Sequence, residues 1–259
     1  VPGLKPAEFL AHEPGGYANF DVTGDDASTL PSQFLGVFSS VKDQGQCGSC
    51  WAFSTIGSVE GAYLKAHGAA NGYVTESGHI EYSGATPALS EQQVVSCNPF
   101  GWGCNGGNYA FDMLMPSKAG QQGYYQGAIP ASAFPYVAQN AACAVPGQTT
   151  YVPVERWGYV GGSDSIPSTS AIKAAIYKYG SVSACVYADG YFQGYTGGVF
   201  SSTGSNGQIN HAIMLVGWDD SKGAWLLKNS WSPSWGIDGF MWIKYNANQV
   251  GYAAAWVVE

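Results

Sequence analysis

Charge is what this chain of 259 residues has least of: Asp, Glu, Lys and Arg make up 11% of it, against roughly a quarter in an average soluble domain. Arginine occurs once, at Arg156, and no basic run exists. The 10 Lys and Arg are outnumbered by 18 Asp and Glu, for a net charge of −8. Neutralising phosphates takes a clustered basic face, so nucleic acid is not an expected partner. Missing as well is any apolar run near the roughly 18 residues that a membrane-spanning helix needs, so no membrane span is expected. There is no N-x-S/T sequon. The opening "VPGLKPAEFL" has the pattern of neither a signal nor a transit peptide, and its lack of an initiator Met is expected of a processed chain.

What is present is apolar and aromatic. Hydrophobic residues reach 46% and aromatics 14%, which predicts a globular protein with a sizeable core, in one large domain or two of ordinary size. Low charge together with 36 Gly, 17 Tyr and 9 Trp fits a secreted or lumenal protein. Six cysteines stand at 47, 50, 97, 104, 143 and 185. That is too few for a disulfide-dense miniprotein but enough for two or three bridges, and spacing alone does not pair them.

Residues 1–30 are rich in Gly, Pro and Asp and poorly periodic, which reads as an extended segment lying over something else. A Gly- and Gln-rich loop then leads into "WAFSTIGSVEGAYLKAH", whose apolar residues recur at helical spacing and place Cys50 near a helix N-terminus. Glu60 interrupts the apolar face, as a polar residue held inside a helix interface would. Residues 67–88 form a long Gly/Thr/Ser loop with room for a hairpin. "LSEQQVVSC" carries an N-cap signature at Ser90. "NGGNYAFDMLM" predicts a helix stopped near Pro116, and "STSAIKAAIYKYG" a helix capped by Ser170 or Thr169 and closed by Gly180. From there on, "SVSACVYA", "GGVFSS", "NHAIMLVGWDD", "GAWLLKNS", "GFMWIKYN" and "AAAWVV" read as short strands. Helices first and strands second predict an α+β protein of two lobes.

Cys47-Gly48-Ser49-Cys50 is a C-x-x-C, and its spacing admits several chemistries. A structural zinc site wants a second such pair or an H-x₃₋₅-H, but the other cysteines stand singly and His12, His67, His79 and His211 are scattered. A thioredoxin-like pair wants a βαβ context, which the pattern lacks. "GWGCNGG" contains a formal G-x-G-x-x-G, yet no buried strand precedes it and no acid follows about 20 positions on, so a tight turn is the better reading. The remaining reading makes Cys50 a nucleophile. A helix N-terminus favours a thiolate, and a distant imidazole can meet it in space. "QINHAIMLVGW" supplies His211 and "WLLKNSWSPSWG" supplies Asn229, each of which alone has an ordinary structural explanation.

The order of motifs raises the specificity. "VKDQGQCGSCWAFS", "LSEQQVVSC", "GCNGG", "NHAIMLVGW" and "LLKNSWSPSWGIDGF", spread over most of residues 40–245, resemble the papain-like cysteine peptidases in sequence and in order. The resemblance implies a two-lobed α+β fold: a mainly helical lobe at 31–158, a mainly β, antiparallel barrel-like lobe at 159–259, and an active-site cleft between them. Residues 31–42 are expected to pack on the second lobe. It implies Cys50 as nucleophile, His211 as general acid/base and Asn229 as the residue orienting the imidazole. Gln44 would be the side-chain donor of the oxyanion hole, and Trp231 the indole shielding the Asn–His hydrogen bond. It implies the bridges Cys47–Cys104 and Cys97–Cys143, with Cys50 outside both. Gly107 falls where the family's backbone pairs with extended substrate, and Asn108, Tyr109 and Ile209 fall near the main specificity pocket. Cys185 either lines that pocket or is a small buried residue; Asn108 is a more polar lining than the family usually has. No metal or organic cofactor is implied.

Three features depart from the family pattern. The usual "DWR" near the mature start is absent, residues 67–88 are longer than usual, and "GLKPAEFLAHEPG" resembles the end of an inhibitory propeptide. Residues 1 to about 30 are therefore either a propeptide remnant or an ordinary surface extension. The expected protein is a monomeric cysteine endopeptidase of the secretory or lysosomal/vacuolar lumen, acting on proteins or peptides through an acyl-enzyme. Its own propeptide and cystatin-type inhibitors are candidate partners. The alternative is a catalytically silent binding or storage relative, and the intact Cys50, His211, Asn229 and Gln44 favour the enzyme.

Overall fold

The computed structural model describes residues 29–68, 71–202 and 207–259. The expectation for residues 1–30 concerns almost entirely residues outside these. In the first half the elements are strand β1 (Gln33–Leu35), helix α1 (Cys50–His67), strands β2 (Gly72–Val74) and β3 (Ile80–Tyr82), and helix α2 (Glu91–Cys97). There follow β4 (Arg156–Tyr159), α3 (Thr169–Tyr179), β5 (Val182–Val186), the short α4 (Gly190–Gln193) and β6 (Val199–Phe200). The chain finishes with β7 (His211–Asp219), β8 (Ala224–Lys228), β9 (Phe240–Lys244) and β10 (Tyr252–Val258).

One sheet runs β4-β10-β5-β7-β8-β9-β6, with β1 added antiparallel beside the far end of β7. All pairings are antiparallel except β6 with β9. β4 and β6 are its two ends among the described residues, so the barrel-like lobe expected from the sequence is there an open sheet, without the closing pair a barrel requires. β4 straddles the boundary placed at residue 158. β1 belongs to this sheet although it lies early in the chain.

β7 is buried along its whole length because both of its faces are covered. Ala212 joins the cluster around α1, and Ile213 and Leu215 join the one around α3. A β-bulge between Leu215 and Gly217 resets this alternation. Val216 accordingly faces the cluster with Phe38 and Ile80, while Trp218, two residues on, faces the α3 side.

α1 is buried around most of its circumference, as befits a central helix packed on β5, β7 and β10. Serines stitch it to the sheet. Ser54 Oγ donates to Ile213 O at 2.8 Å, Ser58 Oγ meets Ser183 Oγ at 2.7 Å, and Ser183 Oγ donates to Ser54 O at 3.0 Å. α2 is capped by Ser90, whose Oγ accepts from Gln93 N at 3.0 Å.

The helix expected over "NGGNYAFDMLM" is only a 3₁₀ turn at Phe111–Leu114, followed by another at Pro116–Lys118. Its backbone and side chains are committed elsewhere. Thr55 Oγ1 accepts from Ala110 N, and Asp112 binds Trp157 and Lys118. The N-cap of α3 is Ser168, whose Oγ accepts from Ala171 N at 3.2 Å, rather than Ser170 or Thr169.

Candidate active site

Cys50 opens α1, and the helix presents its positive end to the thiol. No acidic residue stands in the first turn, and Ser49 makes no side-chain cap bond; its hydroxyl pairs instead with Tyr136 Oη at 2.6 Å. Nothing in that turn therefore competes for the favourable dipole. The loop ahead of it is fastened by the disulfide Cys47–Cys104, with S–S 2.04 Å, and by Gly48 N donating to Cys104 O at 2.9 Å. A second disulfide joins Cys97 to Cys143. Cys50 and Cys185 lie outside both bridges. The two members of the C-x-x-C thus have different partners, and the redox pair considered from spacing does not form.

β7 brings the second group. Ala212 N donates to Cys50 Sγ at 3.5 Å, which sets the sulfur beside the start of the strand that begins with His211. His211 Nε2 lies 2.8 Å from Asn229 Oδ1, an oxygen that also accepts from Ser230 N at 2.8 Å. That bond fixes the tautomer with its proton on Nε2, leaving Nδ1 as the basic nitrogen. Among the described residues, Nδ1 has no hydrogen-bond partner. Trp231 stacks on the imidazole at 4.5 Å between centroids and 23° between planes, and Phe192 approaches edge-on at 6.3 Å. Burial pushes the His211 pKa down to about 3, with the Asn229 bond working the other way. The imidazole is therefore neutral in this arrangement.

Gln44 is fully buried and held from both ends. Its Oε1 accepts from Ser230 Oγ at 2.7 Å and from Trp231 Nε1 at 3.1 Å, while Nε2 donates to Cys47 O at 3.0 Å. Its backbone N–H donates to Ser230 O at 2.9 Å. The segment 229–231 thus orients both His211 and Gln44. Ser230 was not among the residues singled out in the sequence, although its place between Asn229 and Trp231 was the available signal.

Tyr109, Cys185 and Ile209 converge in one buried cluster with Ala212, and Tyr109 Oη lies 3.2 Å from Cys185 Sγ. Burial pushes the Cys185 thiol far up, with the Tyr109 hydrogen bond partly offsetting it. Asn108 is fully buried; its Oδ1 accepts from Tyr109 N, and its Nδ2 has no partner among the described residues. Gly107 lies against the Trp51 indole so closely that a Cβ would come within 2.7 Å of the ring, which only glycine avoids.

Behind the site lies an ionic cluster of which only Glu60 was signalled by the sequence. Lys42 Nζ reaches Glu60 and Glu91 at 2.6 Å each and Leu89 O at 3.0 Å. Glu60 also accepts from Leu89 N at 2.8 Å and from the Ser39 hydroxyl. Lys228, next to Asn229 in the chain, donates to Ser39 Oγ at 2.9 Å. Burial lowers the Lys228 pKa to about 8. For Lys42, burial is outweighed by Glu60 and Glu91, and its pKa rises. Among the described residues, no group of three or more His, Cys, Asp or Glu side chains could hold a metal ion. None of the helices there is long and apolar enough to cross a membrane.

A cysteine at a helix start is thus faced by a His–Asn pair under an indole across a helix–sheet junction, an arrangement with the parts of a thiol nucleophile and its base. The comparisons narrow it. Residues 33–258 match the papain family of cysteine proteases, and the chain belongs to that family. It is 34% identical over 220 residues to digestive cysteine proteinase 1 of Homarus americanus, covering 82% of this chain and 60% of that protein. The chain thus spans less than two thirds of that relative. In three dimensions it resembles procathepsin L 3 of the Tenebrio molitor larval midgut with a TM-score of 0.75 and 26% identity. That match covers 100% of this chain and 84% of the other. The bromelain protease of Ananas comosus, solved in complex with the E64 inhibitor, matches with a TM-score of 0.67 and 26% identity over 88% of this chain and 99% of its own.

Proposed function

We propose that the protein is a cysteine endopeptidase that cleaves proteins or peptides through an acyl-enzyme. The observation that carries this reading is the His211 Nε2–Asn229 Oδ1 bond of 2.8 Å, formed where Ala212 N ties down Cys50 Sγ. It turns the imidazole's basic Nδ1 into the acceptor for the thiol proton. The thiol passes its proton to Nδ1, and the thiolate so formed attacks the scissile carbonyl. Burial disfavours the imidazolium, whereas the adjacent thiolate and the helix N-terminus favour the ion pair, so ionisation belongs to the hydrated or substrate-filled cleft. The oxyanion is held by Gln44 Nε2 and the Cys50 backbone N–H. His211 then protonates the leaving amine and next takes a proton from the deacylating water.

Gly107 pairs with extended substrate, while Asn108, Tyr109, Cys185 and Ile209 shape the pocket for the second side chain before the cut. No cofactor takes part. The two disulfides fit an oxidising compartment, secreted or lysosomal/vacuolar. In this reading the protein acts as a monomer, its first 30 or so residues derive from a propeptide, and cystatin-type inhibitors compete for the cleft. Replacing Cys50 by Ala is expected to abolish hydrolysis of peptide substrates; substantial residual turnover would sink the assignment.

A further inference from the structure

Within the longer-than-usual segment 67–88, residues 71–83 form a hairpin whose tip reaches the loop that carries Asn229 and Trp231. β2 and β3 pair antiparallel around a turn in which Thr75 N donates to His79 O at 2.8 Å. The hairpin is firmly mounted. Asn71 Nδ2 donates to Gly36 O at 2.7 Å, Asn71 Oδ1 accepts from Phe38 N at 2.9 Å, and Ile80 is buried in the cluster with Phe38, Met214, Val216, Leu226 and Phe240. From this mount, Ile80 N and His79 Nδ1 both reach Asp238 Oδ2, at 2.9 Å each.

Asp238 and Gly239 have φ of 54° and 90°, the signature of the two central positions of a type I′ turn. Gly239 is wedged against Val41, where a Cβ would fall 2.5 Å from a methyl carbon. Its carbonyl accepts from Asn229 N at 3.0 Å, and its N–H donates to Trp235 O at 2.7 Å. One peptide unit therefore separates the carboxylate gripped by the hairpin from the carbonyl that holds the backbone of Asn229.

We propose that Asp238 is a positioning residue: held by the β2–β3 hairpin, it fixes the 229–239 loop and through it the orientation of Asn229 and Trp231 against His211. This rests on the active-site reading above. The grip comes mainly from the Ile80 amide, because the His79 side chain is 64% exposed and its ionic attraction is screened by solvent. A side chain that keeps an acceptor oxygen should therefore keep most of the function.

The test measures peptide hydrolysis by the full chain, normalised to thiols titrated with an epoxysuccinyl inhibitor, alongside hydrogen exchange at the amides of Asn229 and Gly239. Asp238→Ala should lower kcat per titrated thiol by about tenfold with KM little changed, as misplacement of a catalytic group does, and should speed exchange at both amides. Asp238→Asn should recover at least half of the activity, and His79→Ala should lose less than about twofold, the loss expected of a screened surface pair. A purely structural role would lower the number of titratable thiols and leave kcat per thiol unchanged, and that result overturns the proposal. Should Asp238→Ala not fold, the same comparison is made with Asp238→Asn and His79→Ala. A loss in kcat per thiol that is greater for His79→Ala than for Asp238→Asn also overturns it. Wild-type protein that neither titrates nor cleaves peptides refutes the active-site reading itself; normal titration with unchanged kcat in Asp238→Ala refutes only the clasp.

Discussion

Cys47 and Cys50 sit three positions apart with different roles, one closing a bridge to Cys104 and the other opening α1. Between them and Gln44, a stretch of seven residues supplies the loop staple, the thiol and the buried amide. The Gln44 side chain is fixed, since Ser230, Trp231 and Cys47 hold both ends of its amide. Under the proposed mechanism, Gln44→Ala should lower kcat by about 10²–10³ with a smaller effect on KM, as loss of one oxyanion donor does; steady-state kinetics on a peptide substrate measures it. The residues of the proposed site could be picked out in the sequence because each sits in a short motif of distinctive type. Ser54, Ser58 and Ser183 were not, because a serine gives no local sign that its partner lies more than a hundred residues away. The neutral state of His211 was equally hidden, since it comes from burial that only the assembled structure sets.

At the scale of elements, α1 is the shared part. It carries Cys50 at its first residue and Glu60 near its middle, one facing β7 and the other facing Lys42 and the turn before α2. Glu60 is the central acceptor of the buried cluster, so Glu60→Ala leaves Leu89 N and Ser39 without their carboxylate acceptor and Lys42 with Glu91 alone. That change should cost about 3–5 kcal/mol of stability, the range for breaking one partner of a buried ion pair, read from denaturant unfolding. α1 announces itself by periodicity, α2 and α3 by their capping residues, and the strands from β5 onward by short apolar runs between turn residues. β1 and β4 do not, being short strands whose pairing with β7 and β10 is decided by tertiary contact. The 3₁₀ turn at Phe111–Leu114 reads as helix for the opposite reason: its composition suits a helix, but Asp112 and the Ala110 amide are bound elsewhere. The hairpin at 71–83 could be suspected from its turn residues, yet its seat on Asp238 could not.

At the scale of the molecule, an early segment, a central helix and a late sheet interlock. β1 lies on β7, Lys228 reaches back to Ser39, and the β2–β3 hairpin reaches forward to Asp238. These crossings hold Cys50 on one side and His211 with Asn229 on the other. The family was legible because five motifs appear in order over most of the chain, and the matched span of residues 33–258 agrees with that reach. The shape of the sheet was not: alternating strands do not say whether their edges meet, and here β4 and β6 stay apart. The central claim is that Cys50, out of six cysteines, is the reacting group. It is tested most directly by treating the protein with an epoxysuccinyl thiol inhibitor and mapping the adduct by mass spectrometry under non-reducing conditions. The account predicts one adduct per chain, on Cys50, with activity falling in proportion to labelling and with Cys47–Cys104 and Cys97–Cys143 intact. An adduct on Cys185, or full activity in a protein labelled at Cys50, would contradict it.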